Sequence, residues 1–277
     1  MKKTMITIVA SAMALMAVEA QATTISYTDF TSTTGLTING NAAAVNDGSR
    51  NVLRITPAIN GQSGSFFSTS TVNLVSNTSF SSKFSFNINN PHSGGADGLV
   101  FVVQPQGNNV GSSGGGIGYQ GINNSLGIEF DTWNNGGVDG NNNNHIGVNL
   151  NGSISSVVRY NDPVEFQNGQ DRFVWVDYNG VTQDLEIRLS TIDLRPSTAV
   201  LSYANLNLLS VLGTSNAFVG FTSGTGAANA NHDIISWEFR DSFQPVGIAP
   251  TGVPEPAPLA LLGFGLLGLA LARRRRK

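Results

Sequence analysis

Apolar and polar side chains alternate with a period of two residues through most of this chain, which is the pattern of β-strands that bury one face. The segments predicted as strands are 83–88, 98–103, 172–180, 184–190 and 233–239. Asn179-Gly180 indicates a hairpin turn, and one helical turn is expected within 205–213. With no internal repeat and no linker before about residue 241, the pattern predicts one all-β domain, a β-sandwich of jelly-roll type.

The composition supports this fold and excludes several classes of function. Charged residues make up only 12% of the chain, and there are 32 glycines and no cysteine, so disulfides and thiolate chemistry are excluded. Seven of the fifteen basic residues lie in the two terminal segments, which leaves eight basic against sixteen acidic residues in 23–252. A domain with a net charge of −8 does not suit nucleic acid, but it does suit bound cations.

Residues 1–22 carry the three parts of a secretory signal peptide in the expected order. A basic start at Lys2-Lys3 is followed by a mostly apolar stretch from Thr4 to Val18 and a small-residue cleavage site at Ala20-Gln21-Ala22. The alternative, a cytosolic N-terminal helix, does not account for all three parts. We therefore expect an exported protein.

The C-terminal segment 253–277 predicts a single apolar helix followed by a basic cluster. The uncharged stretch from Ala257 to Ala272 would span about 24 Å as a helix, a little less than a bilayer core of about 30 Å. The five basic residues 273–277 should remain cytoplasmic. With Pro254-Glu255-Pro256 in front, the segment resembles a PEP-CTERM sorting signal.

That resemblance implies a Gram-negative host and transient anchoring in the inner membrane. An exosortase would then remove the tail and release the domain to the cell surface or to an exopolysaccharide matrix, as in a biofilm. Residues 242–252 would serve as a linker to the tail. The alternative is a permanent single-span anchor.

Acidic residues collect in the stretch 127–150, GIEFDTWNNGGVDGNNNNHIGVNL. On a strand, Ile128 and Phe130 would share one face while Glu129 and Asp131 share the other, about 6–7 Å apart. Two ionised carboxylates this close repel each other unless a cation lies between them. The stretch therefore predicts a metal site behind a buried apolar face.

The ligand types in this stretch suit two cations. Oxygen ligands favour Ca²⁺, and an imidazole such as that of His145 favours a transition ion such as Mn²⁺. Asp139 follows in the loop, but its spacing to Leu150 does not fit an EF-hand. The alternative is a polar edge strand with an Asn-rich surface loop. His92 and His232 are expected at the loop surface.

The same stretch resembles the metal motif of the legume lectins and their L-type relatives. The matching residues are Glu129, Phe130, Asp131, Thr132, Trp133, Asn135, Asp139, His145, Ile146 and Gly147. Segments with the family pattern precede and follow it in order, including GADGLVFVVQP and FVGFTSGTGAANANHDIISWEF. The resemblance covers about 25–240 and implies a concanavalin-like jelly roll, with an L-type lectin domain at 23–241.

Roles for the metal ligands follow from this resemblance. Glu129, Asp131, Asp139 and His145 would hold the transition ion. Ca²⁺ would be held by two of the same carboxylates, Asp131 and Asp139, together with Asn135 and the backbone carbonyl of Trp133.

The resemblance also implies a sugar site, whose residues are Asp97, Gly115 or Gly116, Trp133 and Asn135, with Gly226 and Ala227 in the loop 223–232. A carboxylate accepts hydrogen bonds from sugar hydroxyls, an amide donates one, and an aromatic ring covers the C–H face of a pyranose. In the family the peptide bond before this aspartate is cis, which would here be Ala96-Asp97.

The chain departs from the family pattern at two places. Asp139 is followed by Gly140 where the family often has proline, and the loop 223–232 offers small polar residues without an aromatic clamp. We therefore expect weak sugar affinity, and the sugar itself stays open. Homodimerisation is a further expectation from the family.

Three functions remain to be weighed. The first is a non-catalytic, metal-dependent lectin that binds a cell-surface glycan or exopolysaccharide. The second is a structural surface or matrix protein whose metal sites serve stability alone. The third is a β-glucanase-like hydrolase, but its pattern needs a third carboxylate where Trp133 stands, and a retaining enzyme needs two carboxyl groups about 5–5.5 Å apart. We predict that the chain is not an enzyme.

Overall fold

The computed structural model describes residues 24–74, 77–111 and 114–247, which form two antiparallel sheets. The strands, in chain order, are β1 (Thr24–Tyr27), β2 (Leu36–Gly40), β3 (Ala43–Asn46), β4 (Asn51–Thr56), β5 (Ser63–Ser68), β6 (Val72–Asn73), β7 (Phe80–His92), β8 (Gly98–Gln104), β9 (Leu126–Asp131), β10 (His145–Leu150), β11 (Val158–Asn161), β12 (Arg172–Asn179), β13 (Asp184–Ser190), β14 (Leu201–Tyr203), β15 (Asn216–Gly224) and β16 (Asn229–Arg240). The helical elements of the described residues are α1 (Leu208–Leu212) and 3-10 turns at Gly114–Gly116, Gly136–Asp139 and Phe166–Asn168.

Each sheet contains eight strands within the described residues. The back sheet has the order β14-β13-β12-β7-β16-β4-β3, with β1 also paired to β16. The front sheet has the order β11-β10-β9-β8-β15-β5-β2, with β6 paired to β15. In both sheets, hairpin-connected strands alternate with pairs that are distant in sequence, such as β7-β16 and β8-β15, so the predicted jelly-roll sandwich is confirmed.

Aromatic side chains fill the space between the two sheets. The rings of Phe84 on β7 and Phe221 on β15 come from opposite sheets, and their centroids lie 4.9 Å apart. Phe130 on β9 meets Phe84 edge-on at 5.8 Å. Ile128 and Phe130 are both fully buried in this core, as the alternation predicts. The opposite face of β9 is therefore left for the polar residues Glu129 and Asp131.

The strands predicted from alternation all form, and several extend beyond the predicted ends. The segment 83–88 lies inside β7, which is 13 residues long. The hairpin at Asn179 also forms, and four residues, 180–183, connect β12 to β13. The side-chain oxygen of Asn179 accepts a hydrogen bond from Val181 N at 3.0 Å. The helical turn expected within 205–213 is α1.

Strand register brings separate segments together at one end of the front sheet. Asp131, the last residue of β9, pairs with Gly98 at the start of β8 and with His145 at the start of β10. Gly98 pairs in turn with Gly224 at the end of β15. We call this row of strand ends, with the loops that follow it, the site end of the sandwich.

The predicted terminal segments lie outside the described residues. This applies to the signal peptide 1–22 and to the tail 253–277 with its apolar helix. In the part of the chain that the structure describes, no helix combines the length and apolar character needed to cross a bilayer. Beyond β16 the described chain crosses the back sheet, where Gln244 N donates to Ser81 Oγ at 3.1 Å.

Candidate functional site

A cluster of three ionisable side chains lies at the site end. Glu129, Asp131 and His145 each offer a ligand atom, and these atoms all lie within 4.8 Å of one another. The three side chains are buried, with exposed fractions of 1%, 2% and 0%. Glu129 and Asp131 are two residues apart on β9, and the pairing of Asp131 with His145 brings the imidazole to the same face. The structure therefore assembles the ligand types that the sequence singled out.

Two side chains donate hydrogen bonds to Glu129, and His145 lies beside it. Its Oε1 lies 3.1 Å from His145 Nε2 and accepts a hydrogen bond from Ser156 Oγ. Its Oε2 accepts a hydrogen bond from Asn149 Nδ2. Side chains that hold a metal ligand in this way fix its orientation. Asn149 shares a strand face with His145, so alternation along β10 could have identified it, whereas Ser156 lies in a loop and has no such signal.

Asp139 approaches the cluster from the loop after β9. Its Oδ2 accepts a hydrogen bond from Asn135 N, and the side chain is only 3% exposed. Trp133 N donates to Asp131 Oδ1 at 2.7 Å, so the loop is tied to both aspartates. Asp139 is not one of the three clustered ligands, but its negative charge contributes to the raised pKa of Asp131.

The electrostatics of the cluster fit a bound cation. Burial, followed by the charges of Glu129 and Asp139, raises the pKa of Asp131 well above its usual value. Burial also raises the pKa of Asp139. No lysine or arginine forms an ion pair with these carboxylates within the described ranges. Buried carboxylates with no positive partner are unfavourable as anions, and a divalent cation removes that penalty.

A second group of residues surrounds Asp97, which precedes β8. Its backbone N donates to Gly224 O at 3.0 Å, and its O accepts from Thr132 N at 3.1 Å. The side chain is 4% exposed, and Oδ2 has no hydrogen-bond partner in the described residues. A Cβ placed on Gly226 would lie 3.5 Å from this oxygen. The Ala96-Asp97 peptide bond is cis, as the resemblance implies.

Burial and the negative charge of Asp139 raise the pKa of Asp97 to about 6. The two aspartates are therefore close enough to interact, which joins the Asp97 group to the buried cluster. An almost buried carboxylate with a free oxygen is well suited to accept hydrogen bonds from hydroxyl groups of a ligand.

The other predicted sugar-site residues lie on the Gly-rich turn 114–116, in the loop after β9 and in the loop after β15. A Cβ placed on Gly115 would lie 3.1 Å from Asn135 Oδ1, so the Gly-rich turn contacts the Asn135 side chain. Gly116 is buried and faces Gln120 instead. Trp133 is 36% exposed and Ala227 is exposed. Solvent therefore reaches the aromatic ring of Trp133, the polar side chain of Asn135 and Ala227.

The loop 223–232 is shorter than predicted. Only 225–228 lies outside strands, because Ser223 and Gly224 end β15 and Asn229 begins β16. The expectation that His232 lies on a loop surface is wrong, since His232 is on β16 and fully buried. His92 is exposed, at the end of β7.

A neighbouring loop that the sequence did not single out supports this short loop. Thr225 Oγ1 donates to Ile59 O at 2.7 Å and accepts from Gln62 N at 2.8 Å. Gly61 N donates to Gly226 O at 3.0 Å. These contacts join the loop between β4 and β5 to the residues beside Asp97. Contacts between two loops distant in sequence leave no periodic pattern, so single-sequence reasoning has no means to find them.

Replacing Gly147 by alanine is expected to weaken divalent metal binding at least about 10-fold, the range seen when groups that orient a ligand are changed. A Cβ on Gly147 would lie 2.2 Å from both Glu129 Oε1 and Ser156 Oγ, so the carboxylate must move. Isothermal titration with Mn²⁺ measures the change. Gly137→Ala is the matched control, because nothing lies within 4 Å of its Cβ position. Equal affinity in both variants would contradict the role of Glu129.

The sequence matches two known family models. The Legume lectin domain model matches residues 22–252, and the PEP-CTERM protein-sorting motif matches residues 252–276. Both resemblances drawn from the sequence are thereby confirmed.

Individual proteins give the same result. The L-type lectin-domain containing receptor kinase VIII.1 of Arabidopsis thaliana is 35% identical over 187 residues, which cover 65% of this chain and 26% of the kinase. The chain thus matches about a quarter to a third of the length of the first curated relatives.

Solved lectin structures are similar over almost their whole length. The lectin from Bauhinia forficata in complex with GalNAc matches with a TM-score of 0.68 and 25% identity, covering 79% of this chain and 97% of that one. Winged bean acidic lectin, complexed with methyl-α-D-galactose, matches with a TM-score of 0.67 and 25% identity, covering 81% and 100%. Because the matched family and structures are lectins, the prediction of a non-catalytic chain is confirmed.

Proposed function

The chain belongs to the legume lectin domain family, and from that membership we propose that it is a metal-dependent carbohydrate-binding protein of the cell exterior. The strongest support comes from Asp97, whose buried carboxylate has an oxygen that is unpaired within the described part of the chain. Its carboxylate is 4% exposed, has an oxygen without a partner in the described residues, and adjoins Gly226. A purely structural carboxylate in this position would have its hydrogen bonds satisfied within the protein.

In this proposal the buried cluster holds two cations. Glu129, Asp131, Asp139 and His145 would ligate a transition ion such as Mn²⁺, because the set combines carboxylates with an imidazole. Asp131 and Asp139 would also ligate Ca²⁺, together with the side chain of Asn135 and the backbone carbonyl of Trp133. The bound cations supply positive charge that keeps these carboxylates ionised and the loop after β9 in place.

The sugar would bind beside the cations through the chain's own residues. Asp97 accepts hydrogen bonds from two sugar hydroxyls, and the Asn135 amide and a backbone N–H of Gly115 or Gly116 donate to others. The exposed ring of Trp133 covers the apolar face of the sugar. Gly226 and Ala227 border the site without side chains that could enclose the ligand, which favours weak binding of a single sugar.

Galactose and N-acetylgalactosamine are the first sugars to test. They are the ligands named for the winged bean acidic lectin and for the Bauhinia forficata lectin, respectively.

We further propose that the chain is exported and sorted through its tail. The match of residues 252–276 to the PEP-CTERM motif supports this destination. The route would begin with a signal peptide at 1–22 and continue with a transient inner-membrane stage of the apolar segment. An exosortase would then remove the tail. The released lectin would then bind glycans of the cell surface or of the extracellular matrix.

A glycan array tests the proposal directly. Residues 23–252, loaded with Ca²⁺ and Mn²⁺, are expected to bind a defined set of glycans, and the signal should disappear in EDTA. If no glycan binds while the chelator still lowers the melting temperature, the metal site serves stability and the chain is a matrix protein without specific sugar binding.

A further inference from the structure

His232 is a buried histidine with no role in the proposed metal or sugar contacts. It lies on β16 with an exposed fraction of 0%, and its Nδ1 is 2.8 Å from Thr56 Oγ1 on β4. Thr56 Oγ1 is 2.9 Å from Ser223 Oγ on β15, and Ser223 Oγ donates to Gly98 O at 2.7 Å. We call His232, Thr56 and Ser223 the inter-sheet network, because they connect the back sheet to the front sheet.

The directions of these hydrogen bonds can be assigned. Ser223 has one hydroxyl proton and donates it to Gly98 O, so its oxygen must accept from Thr56. Thr56 has then used its own proton and must accept from His232 Nδ1–H. His232 therefore carries a proton on Nδ1, and its buried Nε2 has no hydrogen-bond partner in the described residues. Burial lowers the pKa of His232 to about 3, which agrees with a neutral ring.

The network ends one residue from Asp97. Gly98 directly follows Asp97 and packs closely against β9, because a Cβ at this position would lie 2.2 Å from Phe130 O. Asp97 N and O are held by Gly224 and Thr132 on the front sheet. The bond from Ser223 adds an anchor from the interior of the sandwich.

The network is also adjacent to the loop after β15, which borders the proposed sugar site. Gly224 follows Ser223, and Thr225 with Gly226 comes next. A change at Ser223 therefore reaches Asp97 and the loop beside it directly, whereas the proposed metal ligand Asp131 is reached only through its pairing with Gly98.

We propose that the inter-sheet network positions Asp97 for sugar binding. Ser223 is the residue that links His232 and Thr56 to the carbonyl of Gly98. The inference rests on the proposed lectin function and names residues that do not contact the sugar. They are positioning residues, so their loss should weaken sugar binding and leave metal binding unchanged.

Ser223→Ala tests this assignment, and Ser82→Ala is its matched control. Both serines are about 1% exposed or less, and both donate to a backbone carbonyl while accepting from one side chain. Ser82 lies on β7, where it contacts Glu238 and Trp237 far along β16 from the site end. Both variants should lose similar stability.

The first readout is sugar binding with metal binding measured alongside. Relative to the unsubstituted protein, Ser223→Ala is expected to bind the strongest glycan of the array about fivefold to tenfold more weakly, as expected from one lost hydrogen bond. Its Mn²⁺ affinity should be unchanged, and Ser82→Ala should change neither. Equal glycan binding by the two variants would overturn the proposal.

The second readout needs no sugar. Amide hydrogen exchange of the segment 96–99 is expected to accelerate in Ser223→Ala but not in Ser82→Ala, because only the former releases the Gly98 carbonyl. His232→Asn, which keeps an amide donor near the Nδ1 position, should restore most of the protection lost in His232→Leu. If the unsubstituted protein binds no glycan on the array, the proposed function fails. If exchange is equal in the two serine variants, the positioning role fails.

Discussion

Removing divalent cations is expected to lower the melting temperature of this protein by about 5–10 °C at pH 7.5 and by much less at pH 5. A cation present at about 100 times its dissociation constant stabilises the folded state by about 2.7 kcal/mol. For a domain of this size, each kcal/mol corresponds to about 2–4 °C. The buried cluster of Glu129, Asp131 and His145 is where the cation would act.

The pH dependence follows from the raised pKa values of the buried aspartates. Burial and the charge of Asp139 raise the pKa of Asp97 from 3.8 to about 6, and the pKa of Asp131 is raised well above 3.8. A carboxyl with a raised pKa binds an extra proton in the folded state, so the contribution of Asp97 to metal-free stability is fully present below pH 3.8 and is lost as pH rises through about 6. Metal binding needs ionised carboxylates, so its contribution increases as pH rises through the raised pKa values of Asp131 and Asp139.

The measurement compares thermal unfolding with Ca²⁺ and Mn²⁺ against unfolding in chelator, at several pH values. The comparison cancels the effect of His232, whose lowered pKa of about 3 gives stability that is lost as pH falls from 6.5 in both conditions. Asp131→Asn is the control, because its melting temperature should respond weakly to the chelator. A chelator effect that is equal at pH 5 and pH 7.5 would contradict the cluster as the metal site.

The alternation along β9 and β10 was enough to predict much of the site. It separates Ile128 and Phe130 from Glu129 and Asp131, and it places His145 opposite Ile146. Local spacing carries this information, because strand geometry fixes which side chains share a face. The resemblance to the lectin family added Asp97, which is 32 residues before Glu129 and reaches the cluster only through the pairing of β8 with β9.

Tertiary contacts explain what the sequence could not provide. His232 follows Asn229 and Asn231, and this polar neighbourhood resembles a loop although it is a strand with an irregular register. The side chain is fully buried, and its Nδ1 pairs with Thr56, which is 176 positions away. The support of the short loop by Ile59 and Gln62 likewise depends on contacts that form only in the folded chain.

Asp97→Asn is expected to reduce glycan affinity at least about 100-fold while metal affinity stays the same. Two hydrogen bonds from sugar hydroxyls to a charged acceptor contribute about 1.5–3 kcal/mol each, and an amide keeps only one accepting oxygen. The variant should also be more stable than the unsubstituted protein in chelator at pH 7.5. The reason is that Asn removes a buried charge that is disfavoured by burial and by Asp139.

A ligand-binding carboxylate is distinguished from a structural one by two opposite changes. Its removal lowers glycan affinity but raises metal-free stability, whereas removing a structural carboxylate lowers both glycan affinity and metal-free stability. Asp184→Asn is the control, since Asp184 is an exposed aspartate at the start of β13 and should bind glycan normally. Glycan affinity, Mn²⁺ titration and thermal unfolding in chelator are measured for both variants. If Asp97→Asn binds glycan normally, the sugar is held elsewhere. If Asp97→Asn loses glycan binding and metal-free stability together, Asp97 supports the fold and its Oδ2 does not bind a ligand.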